Sequence, residues 1–339
     1  MRKSVRLLLV FALSSVCAGM VSCKREPLID PMSGVYLSID LVTGSLTDLE
    51  PFLDPESEGY LLDKLVGNVP ELMKVYFYDA DTHELEYEDF LDVEGGFVGV
   101  DEGRYDIIVY GYGTERTRVT GENNRGGFYS FTNGLGSRLK MTRTKVDEET
   151  GEEEVYVAEF PIIYEPDPIY VGRLADVVVP VREKIERTIY LETVAKNLLE
   201  SYTFEVLNLE GAERIKTATC YVTGQASSKF MWDGRYPGEA CAITFTVPYN
   251  RSTQSLKTVF NTFGKFPGER NDVYLNILVT SDGGGMYQWI YDVTDQFDDP
   301  DNVDHRIIIS DKIIIPDREM GGFTPTVNDW NAEIITVPL

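Results

Sequence analysis

Strict alternation of apolar and polar residues over short runs is what most limits the folds open to this chain. Met73, Val75 and Phe77 alternate with Lys74, Tyr76 and Tyr78 and then stop at Asp79-Ala80-Asp81, the pattern of a half-buried strand that ends in a turn. The same period recurs from Val35 to Leu41, Leu85 to Leu91, Phe97 to Val100, Arg104 to Tyr112 and Val155 to Ile163. Pro166 and Pro168 then interrupt, before Ile169 to Gly172 and Val177 to Val179. A second series runs through Thr188 to Thr193, Tyr202 to Leu207, Ile215 to Val222, Ala240 to Val247, Val273 to Thr280 and Tyr287 to Val293. Ile307 to Ile309, Ile313 to Ile315 and Ala332 to Val337 complete it. No long helical period separates these runs, so the chain reads as all-β, built as antiparallel sandwiches and not as βαβ units. Short helical pieces are expected only around Leu61 to Leu65 and Val194 to Glu200.

The length leaves room for two domains. The charged stretch Arg182-Glu183-Lys184-Ile185-Glu186 follows Pro180 and separates the two series, which sets an N-terminal β-sandwich at 34–182 and a C-terminal one at 183–339. The acidic run from Asp147 to Glu154 reads as a solvated hairpin tip.

Ahead of the first strand the text is of another kind. Arg2, Lys3 and Arg6 precede the apolar run Leu7 to Leu13, and Gly19 and Ser22 supply small residues before Cys23. This is the layout of a secretory signal, too short to span a bilayer. Met20-Val21-Ser22-Cys23 resembles a bacterial lipobox, which predicts a signal peptide over 1–22, an acylated Cys23 that binds membrane lipid, and a tether over 23–33 carrying Pro27 and Pro31. Stable anchoring needs at least two acyl chains, since each buried methylene contributes only about 0.8 kcal/mol. Lys24 carries no inner-membrane retention acid, so the expected place is the outer membrane, at the cell surface.

Charge narrows the partners. Removing Arg2, Lys3 and Arg6 from the 31 basic residues leaves 28 against 56 acidic ones, a formal charge of -28 for the mature chain. Such a field repels nucleic acid and anionic head groups. With Cys17 lost in the signal and Cys23 acylated, Cys220 and Cys241 remain as a candidate disulfide. A bridge there would close about 22 residues and contribute about 3 kcal/mol; two separately buried thiols on neighbouring strands are the alternative.

Nothing in the sequence supports catalysis. His83 sits in a turn and His305 in an acidic loop; neither belongs to a zinc-type pair, and no nucleophile elbow or phosphate-cradling loop is present. Gly283-Gly284-Gly285 reads as a hairpin turn. Asp295, Asp298, Asp299, Asp301 and Asp304 lack the ordered spacing of a calcium loop and read as a solvated turn. No metal or cofactor is expected. Trp289 lies on a strand and reads as packing, whereas Trp232, in the polar stretch from Ser227 to Glu239, is the candidate contact for a glycan.

Several blocks carry a family resemblance. The lipobox, Met73-Lys74-Val75-Tyr76-Phe77-Tyr78-Asp79, Gly95-Gly96, Gly103-Arg104-Tyr105-Asp106-Ile107, Gly321-Gly322-Phe323 and Asp329-Trp330 resemble the fimbrillin-like lipoproteins, nearest to the fimbrial-anchor subunits and a sister group known only as a domain of unknown function. Tyr164-Glu165-Pro166-Asp167, Val171-Gly172-Arg173, Leu209-Glu210-Gly211 and Thr223-Gly224 match that sister group. The resemblance implies two tandem transthyretin-like, Greek-key β-sandwiches and a non-enzymatic role in adhesive surface filaments. It also implies joining to fimbrial subunits or surface proteins by strand addition. Arg104 and Arg116 lie within or beside strands and offer no protease site, which favours an anchor, a tip or a stand-alone lipoprotein over a shaft subunit; an anchor or accessory subunit is the first reading. The alternative is a stand-alone lipoprotein that binds a surface glycan or host ligand.

Overall fold

The computed structural model describes residues 34–43, 69–146, 153–180, 188–250, 255–268, 272–316, 324–326 and 330–336. The signal segment, Cys23, the tether, Leu61 to Leu65, Arg182 to Glu186, Asp147 to Glu152 and Gly321 to Phe323 lie outside the described residues. In chain order the first strands are β1 (Gly34–Val42), β2 (Leu72–Asp79), β3 (Leu85–Asp92), β4 (Gly95–Gly99) and β5 (Gly103–Tyr112). Next come β6 (Thr117–Thr120), β7 (Tyr129–Thr132), β8 (Gly134–Val146), β9 (Glu153–Tyr164), β10 (Tyr170–Val179) and β11 (Ile189–Asn197). Then follow β12 (Glu200–Glu210), β13 (Ile215–Ala226), β14 (Ser228–Phe230), β15 (Ala240–Thr246), β16 (Tyr249–Asn250) and β17 (Ser255–Thr262). The last are β18 (Tyr274–Ser281), β19 (Met286–Asp292), the short helix α1 (Thr294–Asp298), β20 (Arg306–Ile314), β21 (Thr324–Thr326) and β22 (Trp330–Thr336). The all-β reading holds.

Seven strands close into a barrel in the order β1-β11-β10-β5-β2-β3-β4. The alternation that marked the strands sorts them: Leu37, Met73, Val75, Phe77, Ile107 and Val109 fill the barrel interior, and the rings of Phe77 and Tyr105 meet edge to face at 5.8 Å. Closure depends on β1 lying parallel to β11, from Val35 opposite Ile189 to Val42 opposite Lys196. The helical turn expected from Val194 is instead the end of strand β11. Thr193 and Ala195 point inward and Val194 and Lys196 outward, so pairing with β1 overrides a run whose local preference is mixed.

The second unit is a sandwich. The four-stranded sheet β16-β17-β12-β20 and the eight-stranded sheet β21-β19-β18-β13-β15-β9-β8-β22 share one core, in which Phe204, Phe260, Ile307 and Ile309 meet Phe245, Ile277 and Trp289. Phe245 and Phe260 stack across it at 4.5 Å. Each buried side chain of this size contributes about 1.5–3 kcal/mol.

The sheets do not part at the expected boundary between 182 and 183. β8 and β9 leave the first series to join the large sheet of the sandwich, and β11 crosses back to complete the barrel. A third core seals the two units: Tyr76, Tyr78, Ile108 and Tyr110 on the outside of the barrel pack with Phe128, Leu198, Leu199, Met231 and Phe263. Strand β2 is therefore buried on both faces, and its second face consists of tyrosines that a simple alternation assigns to solvent.

Candidate functional site at an open strand edge

Two of the strand edges in the sandwich differ in how their main chain is treated. Strand β20 pairs with β12 in parallel, and its other side is shut by side chains. Gln296, on α1, donates from Nε2 to the Ile308 carbonyl at 3.1 Å and accepts from the Ile308 N–H through Oε1 at 2.8 Å. Asn302 does the same for Arg306, donating at 3.0 Å and accepting at 2.9 Å. Two amides thus stand where a neighbouring strand would, which is one way of blunting a sheet edge. Beyond them, Lys312 lies 2.5 Å from Glu210 and holds that carboxyl below the usual carboxylate range.

Strand β9 presents the opposite case. Its pairing with β8 runs from Val146 opposite Glu153 to Gly134 opposite Ile163, and β22 covers the far side of β8. On its other side β9 meets β15 only at Ile162, Ile163 and Tyr164. Among the described residues no strand pairs with that side before Pro161, although every second residue there turns its N–H and C=O away from β8. Side chains along this edge are apolar and in solvent, with Val155 58% and Val157 54% exposed. Pro161 marks the place where the partner strand departs, in keeping with the confinement of proline to edges. Glu159 follows Val157 on the same face and sits 3.8 Å from Arg138. Among the described residues the arrangement is a strand with one unpaired ladder, apolar in the middle and acidic at its margins.

The residues singled out from sequence are placed as follows. Cys220 stands opposite Phe245 and Cys241 opposite Gln225 on the paired strands β13 and β15. Of the two readings left open for this pair, the structure has the second: both are buried thiols, several residues out of step along paired strands, where a bridge needs closely apposed Cα atoms. Burial pushes the Cys241 thiol up. Trp232 is partly buried, packed against the core between the two units, and the Arg125 guanidinium lies 4.3 Å over its ring. Trp289 is packing, at 6% exposure.

The acidic stretch holds the second amide cap. Asp299 accepts from the Asp301 N–H at 2.9 Å, and Lys265 pairs with Asp298. No group of His, Cys, Asp or Glu suited to a metal occurs among the described residues. His83 and His305 both have positive φ, 63° and 50°, and lie on different units. Gly283 to Gly285 turn between β18 and β19 with Gly284 at φ 86°. A cleft beside Pro70, Tyr112, Thr114 and Pro168 has two carboxylates, Glu71 and Glu115, at its rim and no nucleophile paired with a base.

Comparison with known proteins agrees with this architecture. A family profile described as a domain of unknown function, DUF5119, matches residues 63–246, more than half of the chain. The chain belongs to the DUF5119 family. Within that span fall most of the barrel, both strands of the β8–β9 pair and the β13–β15 pair. A Bacteroides ovatus protein provisionally named fimbrium anchoring subunit Fim4B is 24% identical over 233 residues, which is 67% of this chain and 57% of that protein. This DUF5119 chain thus matches little more than half the length of that curated relative. A solved structure of a provisionally assigned adhesin from the same species is 21% identical, covers 89% of this chain and 99% of its own, and superimposes with a TM-score of 0.57. That likeness establishes a shared fold.

The two amide caps were missed in the sequence reading, because Gln296 and Asn302 resemble ordinary loop residues until β20 is seen to need them. Pro161 was the available signal for the edge.

Proposed function

We propose that this chain is a non-enzymatic, fimbria-associated surface lipoprotein, held in the outer membrane by acylated Cys23 and acting as an anchor or accessory subunit. It joins its partner by accepting a strand along β9. The observation that carries this reading is the exposed ladder N-terminal to Pro161, unpaired among the described residues, with apolar Val155 and Val157 available to a partner's side chains. Main-chain hydrogen bonds supply affinity in such a joint, and alternate side chains supply selectivity. The relative named as a fimbrium anchoring subunit supports the same assignment. Capping of β20 supports β9 as the accepting edge, since that side of β20 is occupied by the chain's own amides.

The test places a charge on the edge. Val157→Lys leaves the core untouched and blunts strand addition. Cells carrying it should yield surface filaments depleted of this chain, while the purified variant melts with the parent. Full incorporation of the variant would remove β9 as the joint. Cys23→Ala should release the chain from the membrane fraction, and retention there would remove the anchor.

A further inference from the structure

The outer wall of the barrel carries a row of aromatic side chains in register. Tyr36 on β1 stands opposite Phe97 on β4 and opposite Tyr190 on β11. The three are 43%, 52% and 75% exposed, and the rings of Tyr36 and Tyr190 lie 5.6 Å apart. Val194, also outward on β11 and 45% exposed, lies beyond the exposed Glu192 and stands apart from the row. Isolated exposed apolar residues need no explanation, but a contiguous group of this kind marks an interaction surface.

Its position in the ring of strands says what it meets. In the closed order β1-β11-β10-β5-β2-β3-β4, β1 is three strands from β2 in one direction and three from β5 in the other. The outer faces of β2 and β5 are those buried against the sandwich, through Tyr76, Tyr78, Ile108 and Tyr110. The aromatic row therefore faces away from the sandwich, on the strand into which the chain from Cys23 leads. Eleven peptide steps separate Cys23 from Gly34, a reach of about 40 Å at full extension. Tyrosine and phenylalanine suit the membrane–water boundary, where a ring is covered while a phenol stays wet. Asp40 and Glu192 are exposed further along the same wall, which disfavours an anionic surface.

We infer that the Phe97–Tyr36–Tyr190 row seats the barrel against the interface of a zwitterionic lipid leaflet, fixing the orientation of the molecule on the membrane. This rests on the Cys23 anchor proposed above. Seated in this way, the anchored end is the barrel wall and the accepting edge of β9 belongs to the unit on the barrel's other side.

Hydroxyl-radical footprinting tests it on the acylated chain, purified from membranes and reconstituted in phosphatidylethanolamine–phosphatidylcholine vesicles, with the soluble Cys23→Ala chain as reference. Oxidation of Tyr36, Phe97 and Tyr190 should fall severalfold on the vesicles, while Tyr112, similarly exposed at the end of β5, stays unchanged. Undiminished oxidation of the row on a chain that floats with the vesicles overturns the seating and leaves the anchor standing. Failure to float removes the anchor and the seating with it. Binding of the Cys23→Ala chain to a glycan array, abolished by Tyr36→Ser with Tyr190→Ser, would assign the row to sugar and also overturn the seating.

Discussion

Arg125 and Asp106 form an ion pair where the barrel meets the loop that carries Trp232. Asp106 is 4% exposed and also accepts the Asp176 N–H at 2.9 Å. The guanidinium reaches the His83 Nε2 at 3.1 Å while its face covers the indole of Trp232. Two turns, a strand of the barrel and a loop of the sandwich are thereby fixed to one carboxylate.

Removing one member of this pair should cost far more than an exposed ion pair contributes, because the survivor is left buried and charged. Asp106→Ala is expected to destabilise the chain by about 3–5 kcal/mol, read by urea unfolding. Tryptophan emission should shift toward that of solvated indole as the cover over Trp232 loosens.

Loss of the amide caps should act on association as well as stability. Gln296→Ala removes two hydrogen bonds to Ile308, at about 0.5–1.5 kcal/mol each, and uncovers main chain on β20. The double variant with Asn302→Ala is expected to self-associate in light scattering at concentrations where the parent is monodisperse.

The two thiols provide a check on the register of β13 and β15. With Cys220 and Cys241 buried and unbridged to one another, thermal unfolding should be the same with and without reductant. The thiol of Cys241, held protonated by burial, should resist iodoacetamide at mild alkaline pH until denaturant is added. A reductant-dependent melting point would contradict the register.

Alkaline pH should unfold the chain through its phenols. Burial pushes Tyr78, Tyr110 and Tyr202 up, and Tyr291 up to about 12, whereas unfolded tyrosine ionises near pH 10. A raised folded value means this stability is fully present below about pH 10 and is lost as pH rises through the folded values. The share of tyrosinate absorbance contributed by these four buried phenols should therefore appear together with loss of the β-sheet signal, not ahead of it.

Strand identity was legible because burial on one face writes itself as a period of two, as in Met73, Val75 and Phe77. Partnership between strands was not. Nothing local in Ile189 to Asn197 says that it will lie parallel to β1, and nothing in Gly134 to Tyr164 says that it will leave the barrel's neighbourhood for the large sheet, since pairing is decided by contacts distant in sequence. The same limit hid the second face of β2: Tyr76 and Tyr78 carry hydroxyls and suit either water or an aromatic core. The spacing of Cys220 and Cys241 left a bridge and two separate thiols both open, and the register of their strands decides for the thiols.

Strand β1 is held on both sides, by the parallel ladder to β11 and the antiparallel ladder to β4. A pull delivered through Gly34 runs along the strand's own axis, so these hydrogen bonds are sheared together and cannot be unzipped one at a time. Mechanical rupture then requires the whole pair of ladders to slip at once. The barrel is wired to resist tension applied through its first strand, the end at which the proposed Cys23 anchor would pull.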